Sequence, residues 1–424
     1  MISLDAIRQN PQKYKDAAKH KNREVDIDEI LRLDDEAGKL RALIQETRKK
    51  RNEYAAIGKS NPDKARQEGK KLKDELKKLE ESLGEITSRL LVLLSHVPNS
   101  PLPEVPIGKD DKGNVEIKKV GEPAKFDFAP LDHITLGKNL DIIDLERGSK
   151  VSGFRGYFLK NQGAVLSFAL MFYVFQKLVA KGYTPIIAPA IVKRFALFGA
   201  GQFPWGEQEV YTLNDDDAYL AGTAEVPVTS YFANEILQEK DLPYRFVAFS
   251  PCFRREAGSY GKDTRGLYRV HEFFKIEQVI ISRADIDEAR TLHEELQSNC
   301  ESILQDLGLP YRVLLMCTGD MGEPQLKKYD TETWMPSRGG YGETMSNSIM
   351  GDFQTRRLGL RYKTADGKTE YCFSLNNTAL ASPRILIAIL ENYQQADGSV
   401  KIPEKLQSLC GFKTITRNVP KAKQ

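Results

Sequence analysis

The sequence predicts an α+β protein in two parts. An antiparallel α-helical coiled-coil hairpin comes first, and a larger domain on an antiparallel β-sheet flanked by helices follows. Three observations lead there. Apolar residues recur at alternating spacings of three and four between Ile30 and Leu93. A proline-rich segment, VPNSPLPEVPIG (Val97–Gly108), then stops helical structure. Beyond it, runs of β-formers alternate irregularly with helical patterns. The expected boundary gives an arm over residues 1–105 and a second domain over 106–424.

Residues 1 to about 25 read as a short helical lead-in. The first seam then runs through Ile30, Leu33, Ala37, Leu40, Ile44, Thr47 and Tyr54. Turn-forming residues at Lys59-Ser60-Asn61-Pro62-Asp63 interrupt it. A second seam follows at Leu72, Leu76, Leu79, Leu83, Ile86, Leu90 and Leu93. Two helices of about thirty residues each would reach about 45 Å. Between Arg48 and Lys78 twelve cations face five anions, a local excess of seven positive charges. Such a surface either solubilises a protein-binding coiled coil or follows a nucleic-acid backbone.

In the second domain, the apolar stretch FALMFYVFQKLVAKG (Phe168–Gly182) predicts a helix, and GYTPIIAP (Gly182–Pro189) a strand after it. Phe253–Glu277, FRREAGSYGKDTRGLYRVHEFFKIE, carries Arg254, Arg255, Arg265, Arg269 and Lys275 beside Glu256 and Glu277. Its flanks, YRFVAFSPC and VHEFFKIEQVII, predict two antiparallel strands. A plain hairpin closes in two to five residues. This connection is far longer and contains Gly258, Gly261 and Gly266. Glycines let a backbone approach a ligand closely, and arginines grip phosphate in a bidentate manner. A solvated surface hairpin is the alternative. LNNTALASPRILIAILENYQ (Leu375–Gln394) favours the first reading. Asn376, Asn377 and Thr378 are expected to end a short strand, and Pro383 to start a helix with Arg384 in its anion-favouring first turn.

Composition narrows the classes. The net charge of +3 over 424 residues excludes a generally basic nucleic-acid binder, so any such surface is local. No apolar run is expected to reach the length that spans a bilayer, so no membrane partner is expected. Met1–Glu24 lacks the apolar stretch of a signal peptide, and Asp5, Asp16 and Glu24 argue against a transit peptide. Five dispersed cysteines point to reduced thiols and a cytoplasmic location. His133, His271 and His293 have no ligand-spaced partners, so no zinc is expected.

Together these strings resemble the signature motifs of class II aminoacyl-tRNA synthetases, and specifically the seryl-tRNA synthetase family. Thr223-Ala224-Glu225 and YGETMSNSIMGDFQTRR (Tyr341–Arg357) match two further family motifs. The resemblance covers the whole chain. It implies a homodimeric ligase that uses ATP and Mg2+ to form seryl-adenylate and then charges tRNA(Ser), with tRNA(Sec) a second candidate acceptor. Some archaeal relatives use zinc; none is expected here. By resemblance, the catalytic residues are Arg254, Glu256, Arg269 and Arg384. L-serine would contact Thr223, Ala224, Glu225, Arg254, Glu277, Asn376 and Thr378. ATP would lie on Arg254, Arg255, Glu256, Arg269, Val270, Phe273, Glu343, Thr344, Met345, Ser346 and Arg384, with Phe273 stacked on adenine. Glu343 and Ser346 would hold magnesium through ATP. On the arm, Lys49, Lys50, Arg51, Lys70 and Lys71 are the candidate tRNA contacts.

The chain departs from the family pattern in places. Thr344, Met345, Ser346 and Asn347 follow Glu343 where paired serines and a cysteine are usual, and Ile349 replaces a common asparagine. Glu272 stands for a frequent glutamine and Tyr260 for a small residue. Two rival readings are a catalytically silent RNA-binding or coiled-coil paralogue and an amino-acid ligase that loads a carrier protein. The intact Arg254, Glu256, Glu277, Thr378 and Arg384 argue against the first, and the long arm against the second.

Overall fold

The computed structural model describes residues 1–57, 62–214, 217–258 and 265–417. The turn at Lys59–Asn61 and the loop positions Tyr260 and Gly261 lie outside the described residues. The chain divides into two compact units, Met1–Ser100 and Pro101–Gln424.

The first unit is all helix. Helices α1 (Leu4–Gln9) and α2 (Pro11–His20) form the lead-in. Asn10 caps α2 by accepting from the Lys13 amide at 3.1 Å, and Pro11 fills the first helical position, where no amide partner is needed. Helices α3 (Ile27–Ile57) and α4 (Pro62–Ser95) form the hairpin. Its seam buries Ile30, Leu33, Ala37, Ile44 and Thr47 against Leu76, Leu90 and Leu94. An interhelical pair, Arg48 with Glu80 at 2.8 Å, adds a solvated contact. Lys49, Lys50, Arg51, Lys70 and Lys71 are all exposed.

The second unit is built on an eight-stranded sheet. In chain order its main elements are β1 (Val115–Val120), α5 (Asn161–Ala180), β2 (Thr184–Ile187), the five-residue α6 (Glu225–Thr229), β3 (Tyr244–Phe253) and β4 (Glu272–Ser282). Then come α7 (Ile286–Asp306), β5 (Tyr311–Leu315), β6 (Lys327–Met335), β7 (Gly340–Gly351), β8 (Phe373–Ala381) and α8 (Ser382–Asn392). The strand order is β1-β5-β6-β7-β8-β4-β3-β2. All neighbours are antiparallel except β2 with β3.

Helices α5, α7 and α8 cover one face. Leu166, Leu170, Val174, Leu292, Leu296, Ile303, Ile385 and Ile389 share a core with Ile276, Ile280, Met345 and Leu375. Alternation along β4 sends Ile276 and Ile280 into that core and turns Phe273, Lys275 and Glu277 to the opposite face. That opposite face carries the candidate site.

Two expectations need correction. Asn376, Asn377 and Thr378 lie mid-strand, because β8 runs nine residues to Ala381. Helix α5 is long and apolar enough to cross a bilayer by length and composition. Interruptions by Gln162, Ser167, Gln176 and Lys177 masked this in the sequence, because they fall on one helix as isolated polar residues. Its Leu166, Leu170, Val174 and Leu178 are fully buried in the core of this unit.

Candidate active site

The site begins at the paired strands β3 and β4. Glu277 stands opposite Ala248 on one side and Thr378 of β8 on the other. A register shift between Ile276 and Glu277 sets that second pairing. The Thr378 hydroxyl donates to Glu277 Oε2 at 3.1 Å. Lys275 Nζ lies 2.7 Å from the same oxygen, with Lys275 and Glu277 both buried. Lys275 also donates to Thr223 Oγ1 at 2.6 Å and reaches Thr378 Oγ1 at 3.5 Å. Thr223 and Glu225 lie at the start of α6, where the Glu225 amide donates to Thr223 Oγ1 at 3.1 Å. Four residues from three distant segments therefore converge on one polar cluster. Lys275 had no assigned role from sequence, because its hydroxyl partners Thr223 and Thr378 lie on other segments.

Glu225 is buried beside this cluster and accepts from Gln354 Nε2 at 2.7 Å. Burial and the nearby Glu277 push its carboxyl up to about 7, against the pull of Gln354, Lys275 and Arg254. Ala224 is fully buried, so it contributes backbone only. Asn376 shares the face of Thr378 two residues away, and its buried Nδ2 has no hydrogen-bond partner among the described residues.

The arginine-bearing loop leaves β3 at Arg254. Arg254 Nε donates to the Gly222 carbonyl at 3.2 Å, and its guanidinium lies 5.3 Å from the centroid of the Phe273 ring. Phe273 is buried with Cys252 and Val270. Glu256 has a left-handed backbone, φ 52°, an uncommon conformation for a residue with a side chain. Its carboxylate pairs with Arg269 at 3.2 Å, joining the two limbs of the loop. Glu209 adds a tether: it accepts the Ala257 and Gly258 amides at 3.1 and 2.9 Å, and its carbonyl accepts the Arg255 amide at 2.9 Å. The Arg255 side chain is exposed. No local pattern marks Glu209, which lies 48 residues from Ala257.

Arg384, in the first turn of α8, donates to the Glu343 carbonyl at 3.0 Å and to Glu343 Oε2 at 3.1 Å. Its Nε donates to the Tyr268 carbonyl at 3.2 Å, and it lies 4.5 Å over the Tyr268 ring. Partial burial pushes the Glu343 carboxyl up, but Arg384 and Lys328 pull it further, well below the ordinary range. Glu343 and Ser346 are three residues apart and would face opposite ways in a regular strand. The bulge at Thr344 brings them to one face: Glu332 pairs with Glu343 and Asp330 with Ser346. The bulge turns the side chains of Thr344 and Met345 to the other face. Thr344 bonds Thr333 Oγ1 at 2.7 Å, and Met345 is buried in the core.

Among the described residues there is no group of three or more His, Cys, Asp or Glu suited to a metal. Glu343 and Ser346 offer two oxygen ligands, and a buried oxygen of Asp330 lacks a partner among the described residues. That donor set fits a hard cation that takes its remaining ligands from phosphate and water. The five cysteines are free and buried.

Comparison with known proteins adds an independent line. The model of the seryl-tRNA synthetase N-terminal domain matches residues 1–101. That of the class II tRNA synthetase core domain (G, H, P, S and T) matches residues 209–393. The serine–tRNA ligase of Deinococcus radiodurans is 45% identical over 419 residues, covering 98% of this chain and 99% of that protein. The Treponema denticola serine–tRNA ligase is 42% identical over 423 residues, covering 98% and 100%. The seryl-tRNA synthetase of Pyrococcus horikoshii, solved in complex with ATP, superposes with a TM-score of 0.92 at 37% identity, covering 98% of this chain and 100% of that one.

Proposed function

The chain belongs to the seryl-tRNA synthetase family, and from that premise we propose that it is a serine–tRNA ligase acting through the residues just described. In the first step a serine carboxylate oxygen attacks the α-phosphorus of ATP. An acyl–phosphate bond forms, the α–β phosphoanhydride bond breaks and pyrophosphate leaves. No protein nucleophile is needed, so positioning and charge neutralisation carry the catalysis. Arg254 holds the serine carboxylate and α-phosphate together. Arg269 and Arg384 hold the terminal phosphates, and adenine lies on Phe273 once Arg254 turns to the phosphate. Glu343 and Ser346 would hold Mg2+, which would supply further charge neutralisation at the phosphates. In the second step a hydroxyl of the terminal tRNA ribose attacks the seryl carbonyl, and AMP leaves.

The observation that carries the reading is the Thr223–Lys275–Glu277–Thr378 cluster. A buried carboxylate and hydroxyl held in fixed positions suit a substrate with an ammonium and a short hydroxyl side chain. An analogue without the hydroxyl leaves buried polar groups unpaired and is rejected. Glu225 serves the ammonium, and the Asn376 amide gains a partner when serine binds. Residues 1–105 act as the tRNA-binding arm and 106–424 as the catalytic domain. The arm cations follow the backbone of tRNA(Ser), and tRNA(Sec) is the second acceptor.

The working unit is a homodimer in the cytoplasm. Helix α5 exposes Val165, Phe168 and Phe172, and β2 exposes Ile187, with Phe168 72% and Ile187 81% accessible. A second copy would cover that apolar face. Charging of purified tRNA(Ser) and tRNA(Sec) with labelled serine tests the proposal. ATP-dependent seryl-tRNA(Ser) is the expected product, and its absence with active tRNA would overturn the assignment.

A further inference from the structure

A buried carboxylate–imidazole pair lies outside the residues assigned to either substrate. Glu391 is fully buried on α8, two helical turns beyond Arg384. Its Oε1 accepts from the His133 amide at 3.0 Å, from His133 Nδ1 at 2.8 Å and from the Ser337 hydroxyl at 2.8 Å. Its Oε2 accepts from the Ser337 amide at 2.9 Å. The Leu267 amide approaches His133 Nε2 at 3.2 Å. A backbone amide only donates, so Nε2 is the acceptor and Nδ1 carries the proton given to Glu391.

The geometry forms a closed circuit. Leu267 precedes Tyr268, whose carbonyl and ring both meet Arg384. Arg338, next to Ser337, lies 4.2 Å over the other partner of that circuit, the Tyr268 ring. Helix α8 therefore grips the return limb of the loop twice, through Arg384 at Tyr268 and through Glu391 and His133 at Leu267. Gly266 makes the approach possible. Its φ is +75°, and a Cβ there would lie 2.2 Å from His133 Nε2.

We infer that His133 and Glu391 are positioning residues that fix the return limb of the loop against α8, setting Arg269 relative to Arg384 for the terminal phosphates of ATP. The inference rests on the reading of those two arginines as nucleotide contacts. Releasing Leu267 lets Tyr268 and Arg269 shift, and a displacement near 1 Å at a binding group costs up to about a hundredfold.

The test is serine-dependent pyrophosphate exchange on His133→Phe, which keeps ring volume and removes both nitrogens, with His133→Gln as the conservative variant. Active-site titration corrects for inactive protein. The expected result is a KM for ATP raised about tenfold in His133→Phe, a KM for serine within about twofold of wild type, and partial recovery in His133→Gln. Glu391→Gln should behave like His133→Phe, and the double variant should be no worse than the worse single one, since both break one circuit. Where His133→Phe is not recovered folded, Glu391→Gln and His133→Gln carry the same comparison. An unchanged KM for ATP, or equal loss towards both substrates, would overturn the inference. Arg384→Ala separates the two readings. If its KM for ATP is also unchanged, the nucleotide assignment itself fails; if it rises while the His133 variants stay normal, only the positioning role fails.

Discussion

Glu225 and Glu277 are buried close to one lysine, and the balance among them has a consequence in pH. The Glu225 carboxyl is raised to about 7 by burial and by Glu277. A substrate ammonium binds its ionised form, so the competent fraction grows as pH rises. KM for serine is expected to fall by up to about tenfold per unit on approaching pH 7 and to level off above it. Glu225→Gln should raise KM and remove the slope; an unchanged slope in that variant would show that another group titrates. The proposed serine site assigns discrimination to the neighbouring pair. Glu277→Ala and Thr378→Val should each lower the serine-to-alanine ratio of kcat/KM by at least about tenfold. If neither ratio moves, the hydroxyl is read elsewhere.

The residues legible in the sequence were those inside contiguous strings. Arg254, Glu256 and Arg269 lie within one such string, and the cluster of Thr223, Glu277 and Thr378 was reached through three. Lys275 stood in plain view but its role did not, since that role comes from Thr223 and Thr378 on other segments. Glu391 lies inside one of those strings, but His133 is 258 residues away, so their pairing has no local signature. The direction of the Thr344 and Met345 side chains was not legible, because a strand bulge cannot be read from residue types.

At the level of elements, the arm was legible almost throughout, because a heptad seam is a local pattern. Both helices begin and end near the expected positions, and Leu76 and Ile44 are buried as the seam requires. The length of β8 was not legible. Asn376 and Asn377 are poor strand formers, and cross-strand pairing with β4 and β7 overrides that preference. The arm carries its own prediction. Deleting Glu36–Ser82 and closing the gap with a short turn removes buried residues from both seams together, Ile44 and Leu76 among them. Serine activation should remain near wild type while tRNA charging falls steeply. Changing Lys49, Lys50, Arg51, Lys70 and Lys71 to Gln should raise the KM for tRNA and flatten its salt dependence. Both half-reactions are measured on one preparation. Full charging by the truncated protein would return the arm to a protein-interaction role.

For the whole molecule, the sheet places chemistry on one face and core on the other, and α5 turns a further apolar surface outward. The dimer reading predicts that wild type sediments as two chains and that Phe168→Glu with Phe172→Glu shifts it towards one; a monomeric wild type would contradict it. The central claim is narrower: this pocket activates serine and no other amino acid, with Arg254 stabilising the transition state. Amino-acid-dependent pyrophosphate exchange across all twenty amino acids, on wild type and on folded Arg254→Ala, tests it most directly. Exchange is expected with serine alone, with a loss of at least about a hundredfold in the variant. Faster exchange with another amino acid, or undiminished exchange in Arg254→Ala, would contradict it.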